Sequence, residues 1–168
     1  MPASRADLIA RLDHLSIAHQ TFDHPPVFTV EEADAATGHV PGLHVKNLFL
    51  KDKRGNLYLA TVAADRRVDL KRLQVLLGAG RLSFGKPDLL MAVLGVTPGS
   101  VTPFALINDT EGRVRFALDR AVLASPTMNA HPLFNDASTV IASADLLRFA
   151  ESTGHAVAIV ELDDAPAA

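Results

Sequence analysis

Val45-Lys46-Asn47-Leu48-Phe49-Leu50-Lys51, Asp52-Lys53-Arg54-Gly55-Asn56 and Leu57-Tyr58-Leu59-Ala60-Thr61-Val62 follow one another without a break. The outer runs are apolar and alternate or nearly so, while the middle five residues are polar with one glycine. That pattern is a β-hairpin. Side chains point to opposite faces along a strand, so Lys46, Leu48 and Leu50 share one face and Val45, Asn47 and Phe49 the other. The first of these faces mixes a cation with apolar residues. A strand-end lysine that snorkels to water accounts for this as readily as a functional lysine does.

Working outward, Ser4-Arg5-Ala6-Asp7 has the form of a capping box with aspartate in the third position, and Leu8, Ile9, Leu12, Leu15 and Ile17 recur at helical spacing through about Ala18. Gln20 to Asp23 is a short extended piece before Pro25-Pro26. Thr29-Val30-Glu31-Glu32 reads as a second capping box, opening a brief helix to Ala36. On the other side of the hairpin, Asp69 caps a helix over Leu70 to Leu77 that Gly78 ends. Pro87 sits in the first turn of another, Asp88 to Leu94, ended by Gly95.

A loop then packs two glycines and two prolines into ten residues: Leu94-Gly95-Val96-Thr97-Pro98-Gly99-Ser100-Val101-Thr102-Pro103. Pro98-Gly99 suits the centre of a type II turn, with glycine at positive φ. Outward-turned amides in such a loop can hold an oxyanion or phosphate, although most Gly/Pro turns only connect elements. Phe104 to Ile107 and Arg113 to Leu118 read as a second hairpin, Asp119 to Ala124 as a helical turn and Ser138 to Ala142 as a strand. Ser143 caps a helix over Ala144 to Ser152, and Ala156 to Val160 is a last strand. The interleaving lacks a regular βαβ rhythm, so the expected fold is mixed α+β: a largely antiparallel mixed sheet or barrel surrounded by helices.

With 168 residues, 48% of them hydrophobic, the chain suits one domain over residues 1–168 that buries roughly 70% of its unfolded surface. There is no cysteine, which excludes disulfides, thiolate zinc sites and a cysteine nucleophile. Arg5, Asp7 and Arg11 interrupt the opening apolar segment, and no apolar run reaches membrane-spanning length. Cytoplasmic residence, with no membrane partner, is the expectation.

The seven histidines (His14, His19, His24, His39, His44, His131, His155) form no tight ligand motif, so neither a metal nor an organic cofactor is indicated. Ser100, Thr97 and Thr102 stand in no recognisable triad order and suit local backbone satisfaction. The net charge of −3 argues against a general polyanion binder such as a DNA-binding protein. Between His44 and Lys86, however, ten basic residues face three acidic ones, a local +7 that leaves −10 elsewhere. Such a segment can grip a phosphate backbone locally, or simply keep the surface wet.

Four separated motifs then bear on function: His24-Pro25-Pro26-Val27-Phe28-Thr29-Val30-Glu31-Glu32-Ala33, Val45 to Leu50, Gly95 to Pro103, and His131-Pro132-Leu133-Phe134-Asn135. Together, and in this order, they resemble the YbaK/prolyl-tRNA synthetase-associated editing domain family, and most closely its freestanding alanyl-tRNA(Pro) deacylases. The resemblance spans nearly the whole chain and implies a mixed, barrel-like α/β fold. It also implies hydrolysis of the ester joining alanine to the 3′ end of proline tRNA. By the same resemblance, Lys46 is the pocket lysine and His131 lies at the pocket wall. Gly99, Ser100, Val101, Thr102 and Pro103 form the element that meets the terminal adenosine and ester carbonyl. Asn47, Phe49 and Val30 are pocket candidates by adjacency, and Lys51 and Arg81 are the candidate contacts to the tRNA(Pro) acceptor stem, with prolyl-tRNA synthetase a further candidate partner. A deacylase for another mischarged tRNA, such as Cys-tRNA(Pro), and a noncatalytic tRNA-binding or synthetase-binding module are the alternatives.

Overall fold

Ser4 starts the first helix as its sequence suggests. The Ser4 hydroxyl accepts from the Asp7 amide, and the Asp7 carboxylate accepts from the Ser4 amide. The structure, a computed structural model, describes residues 2–26, 32, 35 and 37–162. Its elements run α1 (Arg5–His14), β1 (His19–Asp23), β2 (Leu43–Lys51), β3 (Leu57–Ala63), α2 (Leu70–Leu77), β4 (Ser83–Phe84) and α3 (Pro87–Leu94). Two 3-10 turns follow, Pro98–Ser100 and Pro103–Asn108, and then β5 (Val114–Asp119), α4 (Arg120–Ala124), β6 (Thr127–Ala130), β7 (Ala137–Ala142), α5 (Ser143–Ser152) and β8 (Val157–Val160). The helix expected over 29–36 falls largely outside the described residues.

The eight strands form one mixed sheet in the order β1-β7-β6-β2-β3-β5-β8, with β4 paired to the far end of β2. The hairpin forms as the alternation requires, β2 and β3 pairing antiparallel from Val45↔Ala63 to Lys51↔Leu57. β2 also pairs in parallel with β6, but only through Leu43↔Met128 and His44↔Asn129. It therefore belongs to two ladders in succession. Phe49 packs with Leu59, Phe104, Phe116 and Phe149 in one core, beneath α1, α3 and α5. Leu50 packs with Tyr58, Leu73 and Leu82 in a second core on the opposite face, beneath α2. Adjacent residues of β2 thus serve different cores, as its period-2 pattern demands.

Several expectations change. Residues 104–107 and 113–118 do not form a hairpin: Pro103–Asn108 is a 3-10 turn, and β5 pairs in parallel with β3. Pro103 lacks an amide donor, and the Thr102 hydroxyl accepts from the Phe104 amide, which starts a helical turn where a strand was read. A short buried apolar run has no period that separates the two. α1 ends at His14 rather than near Ala18, because Leu15 is its C-cap and Ser16 takes φ 56°. The Ile17 amide then donates to Leu12 O, and Ile17 enters the core outside the helix. α5 begins at Ser143, so its N-cap is Ala142, without a side-chain bond. Strands β4 and β6 carried too few residues to show in the pattern.

Gly85 marks the tightest approach. Its amide donates to Phe49 O at 2.9 Å, and a Cβ built there would lie 2.4 Å from the Phe49 ring. Phe49 is 4% exposed and cannot swing aside. Gly85→Ala is expected to lower unfolding free energy by about 1–3 kcal/mol in urea titration, through overpacking against this ring.

Candidate active site

Where the β6 ladder stops at His44↔Asn129 and the β3 ladder begins at Val45↔Ala63, the two halves of the sheet part company. A cavity of about 200 Å³ opens there. Its walls include Lys46 and Asn47 from β2, Asn129 and Ala130 from β6, His131 just beyond β6, and Ser138 from β7. Three candidates chosen from the sequence, Lys46, Asn47 and His131, are therefore brought to one cavity. Asn129 holds the mouth of β2 in place, its side-chain amide donating to Pro41 O at 3.0 Å and Gly42 O at 3.3 Å.

Asn47 is a strut as well as a wall. Its Oδ1 accepts from Thr61 Oγ1 at 2.6 Å, which assigns Nδ2 as the donor to Val101 O at 3.2 Å. The Gly99 to Pro103 loop is thus fastened to β2 and β3, although it does not itself line the cavity. The loop is not the expected type II turn. Pro98–Ser100 is a 3-10 turn closed by Ser100 N–H donating to Thr97 O, and Gly99 is absent from the positive-φ glycines. Gly99 is exposed, while Ser100, Thr102 and Pro103 are buried. Phe49 belongs to the core rather than the cavity. Val30 lies outside the described residues.

His131 is fixed from behind. Its Nδ1–H donates to Ala137 O at 2.9 Å, which leaves Nε2 of the neutral ring without that proton. Burial pushes its pKa below the ordinary histidine value, against the bond to Ala137 and with help from nearby His24. The connection from His131 to β7 is strained: Leu133 takes φ 77° although it is not glycine, and its side chain, 3% exposed, anchors that conformation in the core.

Lys51 and Arg81 meet elsewhere, with Lys53 and Ser83, along an open groove of about 530 Å³. The groove is organised from beneath by buried Asp52. Burial alone would raise its pKa, but hydrogen bonds from the Asn56 side chain and the Gly80, Asn56 and Arg54 amides bring it down to about 2. One carboxylate thereby closes the hairpin turn and draws the Gly80-Arg81 segment alongside it. Among the described residues no cluster of three His, Cys, Asp or Glu is placed to hold a metal, and no helix is long and apolar enough to cross a membrane.

Sequence reading missed Ser138 and Asn129 as parts of this site, and His24 as the residue that backs Ser138. Ser138 and Asn129 each share a short strand with a threonine, Thr139 and Thr127, and nothing in their spacing points inward. His24 carried one signal, its place at the head of the His24-Pro25-Pro26 motif.

Residues 24–149 match the family model described as the aminoacyl-tRNA editing domain. The zebrafish (Danio rerio) prolyl-tRNA synthetase associated domain-containing protein 1 is 41% identical over 161 residues, covering 95% of this chain and 88% of the relative. The prolyl-tRNA editing protein ProX of Acetoanaerobium sticklandii is 35% identical over 163 residues, covering 96% and 99%. A solved structure described as a candidate trans-editing enzyme for prolyl-tRNA synthetase superposes with a TM-score of 0.72 at 24% identity, covering 97% of this chain and all of that one. At that identity it shows the shared fold.

Proposed function

The chain belongs to the aminoacyl-tRNA editing domain family, and we propose that it hydrolyses the ester of alanine mischarged on proline tRNA, releasing alanine and free tRNA(Pro). The observation that carries this reading is the small cavity that gathers Lys46, Asn47 and His131 at the split in the sheet. At about 200 Å³ it is below the size of ordinary ligand pockets and suits the acyl end of a larger substrate left outside. A synthetase pocket built for proline rejects the smaller alanine by only about 1–3 kcal/mol, so a second pocket that excludes proline by size restores accuracy.

An aminoacyl ester is already activated, and the neighbouring ribose 2′-hydroxyl can orient or deprotonate the attacking water. The protein then works by positioning and by stabilising charge. Lys46 supplies positive charge beside the ester or an adjacent phosphate, and His131 limits the size of the acyl group. The Gly99 to Pro103 loop, held at Val101 by Asn47, meets the terminal adenosine and directs amides such as that of Gly99 to the carbonyl. The acceptor stem lies along the groove of Lys51 and Arg81, and prolyl-tRNA synthetase is the candidate partner that supplies mischarged tRNA.

Lys46→Ala is expected to lower the single-turnover rate on Ala-tRNA(Pro) about 100-fold, in the range of a lost transition-state contact. Replacing the substrate's 2′-hydroxyl with hydrogen is expected to abolish turnover while leaving most of the binding. Unchanged hydrolysis in either case refutes the corresponding role. Arg81→Glu is expected to weaken tRNA binding and to flatten the dependence of log affinity on log salt by about one unit. Intact affinity and slope would remove Arg81 from the interface.

A further inference from the structure

Ser138, on the cavity wall, is bonded to His24 behind it, and the proposed reaction leaves this pair without a task. His24, 8% exposed, places Nδ1 2.9 Å from Pro25 O and Nε2 2.9 Å from Ser138 Oγ. A carbonyl only accepts, so the proton is on Nδ1, and Nε2 of the neutral ring has only a lone pair to offer. The Ser138 hydroxyl must therefore donate inward to His24. What remains of Ser138, a cavity wall residue 2% exposed, is the pair of acceptor sites on Oγ. His131 repeats the arrangement: with Nδ1–H committed to Ala137 O, its Nε2 is also an acceptor. Ser138 and His131 both line the cavity, and the His24 and His131 rings lie with their centroids 6.0 Å apart.

We propose that this part of the cavity wall, Ser138 Oγ polarised by His24 together with His131 Nε2, receives the α-amino group of the acyl moiety and so selects aminoacyl over simple acyl esters. The proposal rests on the deacylase reading. An α-ammonium carries only donors and needs acceptors, whereas the ester oxygens and the ribose hydroxyl can all accept and are served by cations. Among the described residues lining the cavity there is a cation, Lys46, and no carboxylate. Ser138 Oγ and His131 Nε2 are neutral acceptors on that wall, each pre-set by a partner behind it. In this arrangement His24 is a positioning residue, because it acts through Ser138.

The test compares alanyl and propanoyl esters on the same tRNA(Pro), the second lacking only the amino group. Ser138→Ala is expected to lower the alanyl-to-propanoyl ratio of kcat/KM about tenfold, as loss of a hydrogen bond to a charged group does. His24→Leu should do the same, and His24→Gln, whose side-chain oxygen can take over as acceptor, should restore the ratio. If both esters slow together in Ser138→Ala, the inference is overturned: such a result fits a Ser–His nucleophile or a purely structural pair. A wild-type protein that releases neither acyl group would overturn the deacylase reading instead. The amino preference is then read from binding of stable amide-linked alanyl and propanoyl analogues, and equal affinities for wild type would overturn the role of these acceptors.

Discussion

One strand has to satisfy two ladders. β2 enters the sheet against β6 for two residue pairs and continues against β3 for seven. Each ladder fixes the register of its own residues, and a cavity opens where one hands over to the other. The cavity lies at that seam, with Lys46 and Asn47 just past it. The site is thus a consequence of the sheet's topology, and the cores beneath α2 and beneath α1, α3 and α5 keep the seam from closing or sliding. A one-residue slip of β2 would exchange Phe49 and Leu50 between cores and carry Lys46 to the other face.

The electrostatics divide the same way. Asp52, made a permanent anion by amide donors, sits under a groove of lysine and arginine and ties the turn to the segment that brings Arg81. Among the described residues, the cavity by contrast pairs one lysine with neutral acceptors. A polyanionic backbone suits the first surface, and a small cationic headed acyl group suits the second. The chain's modest net charge conceals this division, since the basic segment and the acidic remainder nearly cancel.

Much of the fold was legible in the sequence where a local rule decides it. The β2–β3 hairpin followed from alternation around a polar turn, and α2 and α3 from Asp69, Pro87 and the glycines Gly78 and Gly95, both of which adopt positive φ. Legibility failed where tertiary contacts choose. Phe104 to Ile107 is apolar in either conformation, and Pro103 with the Thr102 cap tips it into a 3-10 turn. The parallel pairing of β3 with β5 crosses over α2 and α3 and has no local signature. For the cavity, spacing showed that Lys46 was unusual, but only the resemblance set it beside His131. Ser138 and His24 are distant in sequence, 2.9 Å apart in space, and visible as a pair only in three dimensions.

The seam, as proposed, holds a small acyl group for removal from proline tRNA. The most direct measurement of this is single-turnover release of the acyl group from Ala-tRNA(Pro), Pro-tRNA(Pro), Cys-tRNA(Pro) and Ala-tRNA(Ala) by the wild-type protein. Rapid loss of alanine from Ala-tRNA(Pro) and persistence of the other three is the expected result. Faster release of cysteine or proline from tRNA(Pro), or no release from any of the four despite binding, would contradict it.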